Sequence, residues 1–327
     1  MCNVIEKRSE ILFLYDIKDA NPNGDPLDEN KPRIDEENGI NIVTDVRLKR
    51  TIRDYLMNFK KKEIFVREIT DEFGKIQDAK LRAKDFLKDV EDLNQKDFNE
   101  QKKIIKNKIL DECIDVRLFG ATIPLDLSIG KDKKSKSATG SITLTGPVQF
   151  RMGRSLHKVD IMHIKGTGAF ASKAGATQKT FREEDFLPYS LIAFYGIINE
   201  NAAQHTNLSE EDVKLLLDGL WNGTKNLISR SKFGQMPRLL LKVNYKEDNY
   251  HIGDLDKMIK IKGIEDLNQE KIRDISEITL DASELIQSLN ANKDKIESID
   301  KKIDSRLKIS FNDLDDSITQ NDINFIE

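Results

Sequence analysis

The stretch SEILFLYDIKDANPNGDP (Ser9–Pro26) decides how the chain is read. Ile11–Tyr15 is an unbroken apolar run that stops at Asp16, and alternation places Phe13 and Tyr15 on one face of a buried strand. Beyond it, Pro22 and Pro26 bracket Asn23-Gly24, a turn, and residues 18–43 show too little periodicity for anything but a long loop. Thr44 then precedes DVRLKRTIRDYLMNF as a helix N-cap, with Asp45 at the positive end of the helix. Leu48, Ile52, Tyr55 and Phe59 recur at helical spacing and predict a core-facing stripe. Arg47, Lys49, Arg50 and Arg53 fall mostly off it, predicting a basic exposed side.

Working outward, EIFVREI (63–69) reads as a second strand, and 78–111 as a helical insertion with Leu81, Phe86, Leu87, Val90 and Leu93 in loose helical spacing. Gly120 closes the apolar run of CIDVRLFGATIPL, and GKDKKSKSATGS (130–141) predicts a mobile loop or hairpin tip. Ile142, Leu144, Val148, Phe150 and Met152 restore alternation, with Pro147 marking an edge strand or bulge. Residues 153–188 are rich in Gly, Ala, Ser, Thr and basic side chains, so they are expected to project from the core. Ser209 and Asp212 form a capping box before Val213, Leu216, Leu217 and Leu220. RLLLKVNY (238–245) is a strand, acidic helical segments follow as a cover, and 304–314 suggests one more strand. Strand–helix–strand passages with long excursions predict an α+β fold, and the ferredoxin-like β-α-β-β-α-β order fits if the excursions are insertions.

With 327 residues the chain is long enough for a substantial core, and no apolar run is long enough to span a membrane. No small-residue cleavage pattern follows the first apolar run, so a signal peptide is not expected. Cys2 and Cys113, far apart and without nearby histidines, fit a reducing cytoplasm. The net charge of -4 hides an asymmetry. Residues 131–180 hold ten Lys or Arg against two Asp, whereas 241–327 hold thirteen basic against twenty acidic residues. A polyanion feels the local field, so the middle segment outweighs the total.

Little supports an enzyme. His157, His163, His205 and His251 lack metal-ligand spacing, no phosphate-binding GxxxxGK[ST] loop occurs, and GTGAF (166–170) is a poor dinucleotide fingerprint. No metal or cofactor is expected. Asp16, Asp19, Asp25, Asp28 and Asp45 lie close in sequence, but solvated loop charge and a helix cap account for them. Polynucleotide binding has more support. Arg151, Arg154, Lys158, Lys165 and Lys173 recur beside Phe150, Met152, Met162 and Phe170, pairing backbone-binding charge with groups that stack or wedge. His157 and His163 sit in the same basic region. The same groups would also suit DNA or an acidic protein.

DIKDANPNGDP (16–26), TDVRLKRTIRDYL (44–56), DVRLFGA (115–121), GPVQFRMGRSLHKV (146–159) and RLLLKVNY (238–245) together resemble the CRISPR-associated backbone subunit of type I surveillance complexes (Cascade). That family belongs to the RAMP superfamily, and the likeness is to the subtype I-B version. The resemblance implies a modified RNA-recognition (RRM-like) palm with a helical finger region and a projecting β-hairpin thumb. Palm parts would span 1–77, 113–153 and 190–246, the finger 78–112, the thumb 154–189 and an acidic cover 247–327. It implies a non-catalytic protein whose copies line up along a guide RNA, with target DNA, other subunits and, transiently, a helicase-nuclease as partners. RNA contacts carried onto this chain are Asn21, Asn23, Arg47, Lys49, Arg50, Arg53, Arg117, Arg151, Arg154, His157, Lys165 and Lys173, with Met162 or Phe170 as the thumb wedge. A related type III branch cuts RNA with a loop aspartate, which keeps Asp16, Asp19 and Asp45 in view as an alternative.

Overall fold

The computed structural model describes residues 3–70, 74–91, 96–129, 136–167 and 181–325. In chain order these form β1 (Ser9–Ala20), β2 (Ile34–Asp35), β3 (Ile40–Val43), α1 (Asp45–Asn58), α2 (Ala79–Asp85), α3 (Phe98–Glu112) and α4 (Ile114–Phe119). Then come β4 (Gly120–Ile129), β5 (Lys136–Thr145), β6 (Val148–Phe150), β7 (Gly153–Lys158), β8 (Met162–Thr167) and β9 (Phe181–Ile198). The remainder is α5 (Glu200–Thr206), α6 (Glu210–Asp218), β10 (Met236–Tyr245), β11 (Lys260–Ile261), β12 (Leu280–Asp281), α7 (Ser283–Ala291), β13 (Ile296–Ile303) and β14 (Thr319–Asp322). The fold is mixed α+β.

The main sheet runs β14-β13-β10-β1-β9-β7-β3-β2, with β6 and β8 also paired to β9. Its centre, β10-β1-β9-β7, has the antiparallel order of the ferredoxin-like family, with α1 following β1 and α5–α6 following β9. β1 is central because both of its faces are buried from Ser9 to Ile17. Ile11, Phe13, Tyr15 and Ile17 enter one core with Leu48, Ile52 and Leu56 of α1, Val213 and Leu216 of α6, and Leu220 just after it. Leu12 and Leu14 enter a second core on the opposite face. There they meet Leu255, Ile275, Ile278, Leu285 and Leu289 of the C-terminal segment. Each such side chain contributes roughly 1.5–3 kcal/mol by leaving water. A third, smaller core joins α2 and α3 to the separate β4–β5 hairpin through Ile105, Ile109, Ile123, Leu125 and Ile142.

β9 belongs to two structures at once. Leu187–Ile198 pairs with β1, whereas Phe181–Phe186 leaves the sheet and pairs only with β8. The hairpin arm thus starts at Met162, later than expected, because β7 is stitched into the main sheet against β3 and β9. Residues 168–180, including Phe170 and Lys173, lie outside the described residues, as does the tip of the β4–β5 hairpin.

Several expectations are corrected. Residues 18–43 are not all loop: β2 and β3 add an edge, held by Asn41, whose N–H donates to Ser155 Oγ at 3.0 Å and whose Nδ2 donates to Arg33 O at 2.9 Å. Residues 63–69 are not a strand, because the N–H groups of Phe65 and Val66 donate to the Asp115 carboxylate (2.8 and 3.1 Å) instead of a ladder. Phe59 is the residue that caps α1 and is 57% exposed, so it stands outside the core and stacks on Tyr55. The late strands are β13 and β14, on either side of 304–314, which forms a single bridge, Lys308 to Thr279.

Candidate nucleic-acid interface

The turn after β1 and the start of α1 form one unit. Asn23 Oδ1 accepts from Thr44 N–H (2.8 Å) and from Thr44 Oγ1 (2.9 Å), while Thr44 Oγ1 accepts in turn from Arg47 N–H (3.2 Å). Asn21 Nδ2 donates to Asn30 O (2.6 Å), and Arg33 pairs with Asp25 (2.8 Å), closing the loop. Gly24 sits where a Cβ would lie 2.6 Å from the Asn30 carbonyl oxygen, so a larger residue opens the turn. The loop is also pinned from outside: Asn21 N–H donates to Ser231 O at 2.7 Å.

Two cations lie at that junction with no ion pair to a carboxylate among the described residues; Asp54, already paired with Arg50, acts on Arg47 from farther off. Arg47 Nη2 donates to Thr51 Oγ1 at 3.1 Å, and its Nε is buried with no partner. Lys232, on the loop before β10, donates from Nζ to Asn21 O at 3.1 Å. Burial pulls the Arg47 guanidinium below its ordinary range. Burial first, and the positive charge of Arg47 second, do the same to the Lys232 ammonium. Neighbouring, partly desolvated like charges are unfavourable unless an anion joins them, so the arrangement is suited to a phosphate. The first turn of α1 adds its own positive end. Sequence reading missed Lys232, since SRSKFGQMP reads as a solvated basic loop punctuated by Gly and Pro.

The rest of the helix differs from a uniformly exposed basic face. Only Arg50 stands out, half exposed and paired with Asp54 at 2.7 Å. Lys49 pairs with Asp45 (3.1 Å) and reaches Gln149 (3.3 Å). Arg53 pairs with fully buried Asp115 (3.0 Å). Both cations lie over the Phe119 ring, 5.6 and 5.1 Å from its centroid. Their side chains are only 12% and 13% exposed, since α4 packs against this side of α1.

Two further residues turn out to be structural. Arg117 makes a two-point pair with Asp212 (both 2.9 Å) and donates to Leu110 O and Asp111 O, joining the end of α3 to α6 and leaving little for a phosphate. His157 is 1% exposed. Its Nδ1 donates to Lys158 O (2.8 Å), its Nε2 accepts from Leu191 N–H (3.3 Å), and its ring stacks on Tyr189. Burial lowers its pKa, so the neutral ring bridges β7 and β9 and is no surface ligand. Arg154 is exposed and pairs with Asp35, and Arg151 pairs with Asp254 while lying 4.5 Å over the Tyr195 ring. Lys165 is exposed on the arm and paired with Glu183 at 3.0 Å, beside exposed Met162 and Ile164. The structure therefore gathers Asn21, Asn23 and Arg47 into one place. Lys49 and Arg53 form a separate cluster, while Arg117 and His157 lie in the framework.

Against this geometry, the family described as CRISPR-associated protein Cas7 matches residues 7–283. A protein of that description from Haloferax volcanii is 35% identical over 314 residues, spanning 94% of this chain and 89% of the relative. The chain belongs to the Cas7 family. A chain of a solved CRISPR RNA-guided surveillance complex in a pre-nicking state has the same fold, with a TM-score of 0.54 at 11% identity over 96% of both chains. Another, from a CRISPR RNA-guided surveillance complex, gives 0.50 at 10% identity over 96% of this chain and 94% of its own.

In this Cas7-family chain the acidic residues near the turn do not assemble. Asp16 is buried, with its Oδ2 3.0 Å from Arg238 Nε and accepting from Tyr189 OH at 2.9 Å; burial raises its pKa against these partners. Asp45 is held by Lys49, and Asp19 stands exposed on a left-handed backbone. Among the described residues no group of three or more His, Cys, Asp or Glu is arranged to hold a metal ion. A cleft of about 800 Å³ beside the turn carries Asp25, Asp28, Glu36, Asp160 and Asp185 against Lys31 and Arg33, a lining unsuited to a polyanion.

Proposed function

We propose that this chain is a non-catalytic, guide-RNA-binding backbone subunit of a type I, subtype I-B-like CRISPR surveillance complex. The observation that carries the reading is that Arg47 and Lys232, at the junction of the β1 turn and α1, are partly buried near one another with no ion pair for either among the described residues. A sugar-phosphate chain supplies the missing anion without regard to base sequence, as a subunit that serves any guide requires. The palm is RRM-like, but its broad sheet face is covered by the C-terminal segment. RNA therefore runs past the end of the sheet along the Arg47 and Lys232 side of the Asn21–Arg33 turn, away from the acidic cleft between that turn and the base of the arm of β8 and β9. That arm is the thumb, with Met162 or Phe170 as its wedge, and Arg50, Arg151, Arg154, Lys165 and Lys173 extend the track. Copies of the chain line up along the guide in the cytoplasm, where they support pairing with target DNA beside the other subunits and the helicase-nuclease.

The test is binding of the full-length protein to single-stranded RNAs of unrelated sequence by fluorescence anisotropy across a salt series. Arg47→Gln is expected to weaken all of them alike and to flatten the log–log salt slope by about 0.7, the value for one phosphate contact on a single strand. Unchanged affinity and slope would remove Arg47 from the track. Cleavage of the RNA in magnesium or manganese, lost in Asp19→Ala, would favour a nuclease instead.

A further inference from the structure

We infer that the loop before β10 is a nucleotide-binding element in which Phe233 stacks on a base while Lys232 holds the adjoining phosphate. The inference rests on the RNA reading above and adds a base contact that lies outside the arm. Phe233 is 65% exposed, and Ile228 on the same loop is 70% exposed. Exposed apolar side chains are common singly, but this ring follows directly after a cation that has no ion-pair partner among the described residues.

The loop holds these groups in place. Lys232 N–H and Phe233 N–H both donate to Ser229 O, at 3.1 and 2.8 Å, forming a tight turn. The turn is tied to the β1 loop by Asn21 N–H to Ser231 O, and to the foot of the arm by Arg230–Glu184 at 3.0 Å. Gly234, at φ +88°, turns the chain from this loop towards β10. A ring presented on a fixed backbone loses little freedom on binding. Residues adjacent in sequence have Cα atoms about 3.8 Å apart, so one point of the loop carries both the ring and the ammonium. Stacking accepts any base, which suits a guide of any sequence.

The experiment compares the full-length protein and its Phe233→Ala, Phe233→Trp and Lys232→Gln variants on one single-stranded RNA and on an abasic strand of the same length. Phe233→Ala is expected to weaken the base-bearing RNA roughly tenfold and leave the abasic strand unchanged. Phe233→Trp is expected to restore binding. Lys232→Gln is expected to weaken both strands alike, with a salt slope smaller by about 0.7. If Phe233→Ala weakens both strands equally or neither, while the wild type binds RNA, the stacking role is overturned and the RNA reading stands. Lost self-association in sedimentation with RNA affinity unchanged would assign the ring to a protein contact and equally overturn it. A wild type that binds neither strand overturns the RNA reading and this inference together. Because the ring is exposed, the thermal midpoint of Phe233→Ala is expected to match the wild type.

Discussion

Replacing Asp115 with alanine separates a framework role for Arg53 from a ligand role. The Asp115 carboxylate is fully buried and accepts from Arg53 Nε, Phe65 N–H and Val66 N–H. Removing it leaves the Arg53 guanidinium, 13% exposed, without its counter-charge, a loss of about 3–5 kcal/mol for a buried pair. Phe65 N–H, also buried, loses its acceptor, which costs about 1–3 kcal/mol, although water entering the space left behind recovers part of it. A net loss of about 4 kcal/mol is expected for Asp115→Ala. Arg53→Met costs less, about 1–2 kcal/mol, because Asp115 keeps two backbone donors. The two changes share one interaction, so the double variant is expected to fall short of the sum by about 1–3 kcal/mol. Urea denaturation followed by far-UV circular dichroism, with the slope checked for constancy, reads all four corners of the cycle. Additive losses, or a loss under about 1 kcal/mol for Asp115→Ala, would refute the staple. Full stability in Arg53→Met with weakened RNA binding would return that residue to the ligand track.

Three other outcomes follow from buried groups. Glu10 is fully buried and accepts from Tyr195 OH, Tyr245 OH, Ile252 N–H and Gly253 N–H, so Glu10→Ala is expected to lose about 2–4 kcal/mol. Hydrogen exchange should show the loss first at residues 250–255. Gly120 has φ +68° and a Cβ there would lie 2.1 Å from Leu144 O, so Gly120→Ala is expected to lose at least about 2 kcal/mol in thermal or urea unfolding. His157 has its pKa lowered by burial from an ordinary value of 6.5, so the unfolded chain binds its proton first. Its contribution is complete above about pH 6.5 and is lost as pH falls towards the folded value, at no more than about 1.4 kcal/mol per pH unit. Subtracting the pH profile of His157→Gln from that of the wild type should leave this slope; a flat difference between pH 7.5 and 5 would place the ring in water.

What sequence reading could recover was whatever depends on neighbours along the chain. The β1 run, the Thr44 cap and the Ser209–Asp212 capping box are decided within a few residues, and each is present where expected. The side chains of the candidate site are decided by partners far away. Arg53 meets Asp115, and Arg117 meets Asp212, through packing of helices whose order in space is not written in their spacing. The 63–69 segment has strand-like composition, yet a buried carboxylate takes its N–H groups, which no local pattern reveals. Helical periodicity correctly put Leu48 and Ile52 inside but carried the stripe one turn too far, to Phe59, because it does not mark where α1 stops. Lys232 and Phe233 escaped notice for the opposite reason: their surroundings in sequence are ordinary, and only the approach of Asn21 and Arg47 makes them unusual.

The isoleucine and leucine wall from the C-terminal segment occupies the broad side of the sheet, and so takes away the area on which several bases could otherwise lie flat at once. What is left is a narrow margin that touches only a short length of strand. Under the RNA-binding role proposed above, a single molecule with such a margin is expected to hold RNA weakly, and tight retention of a long strand to come from repetition, many modest grips in series on one thread.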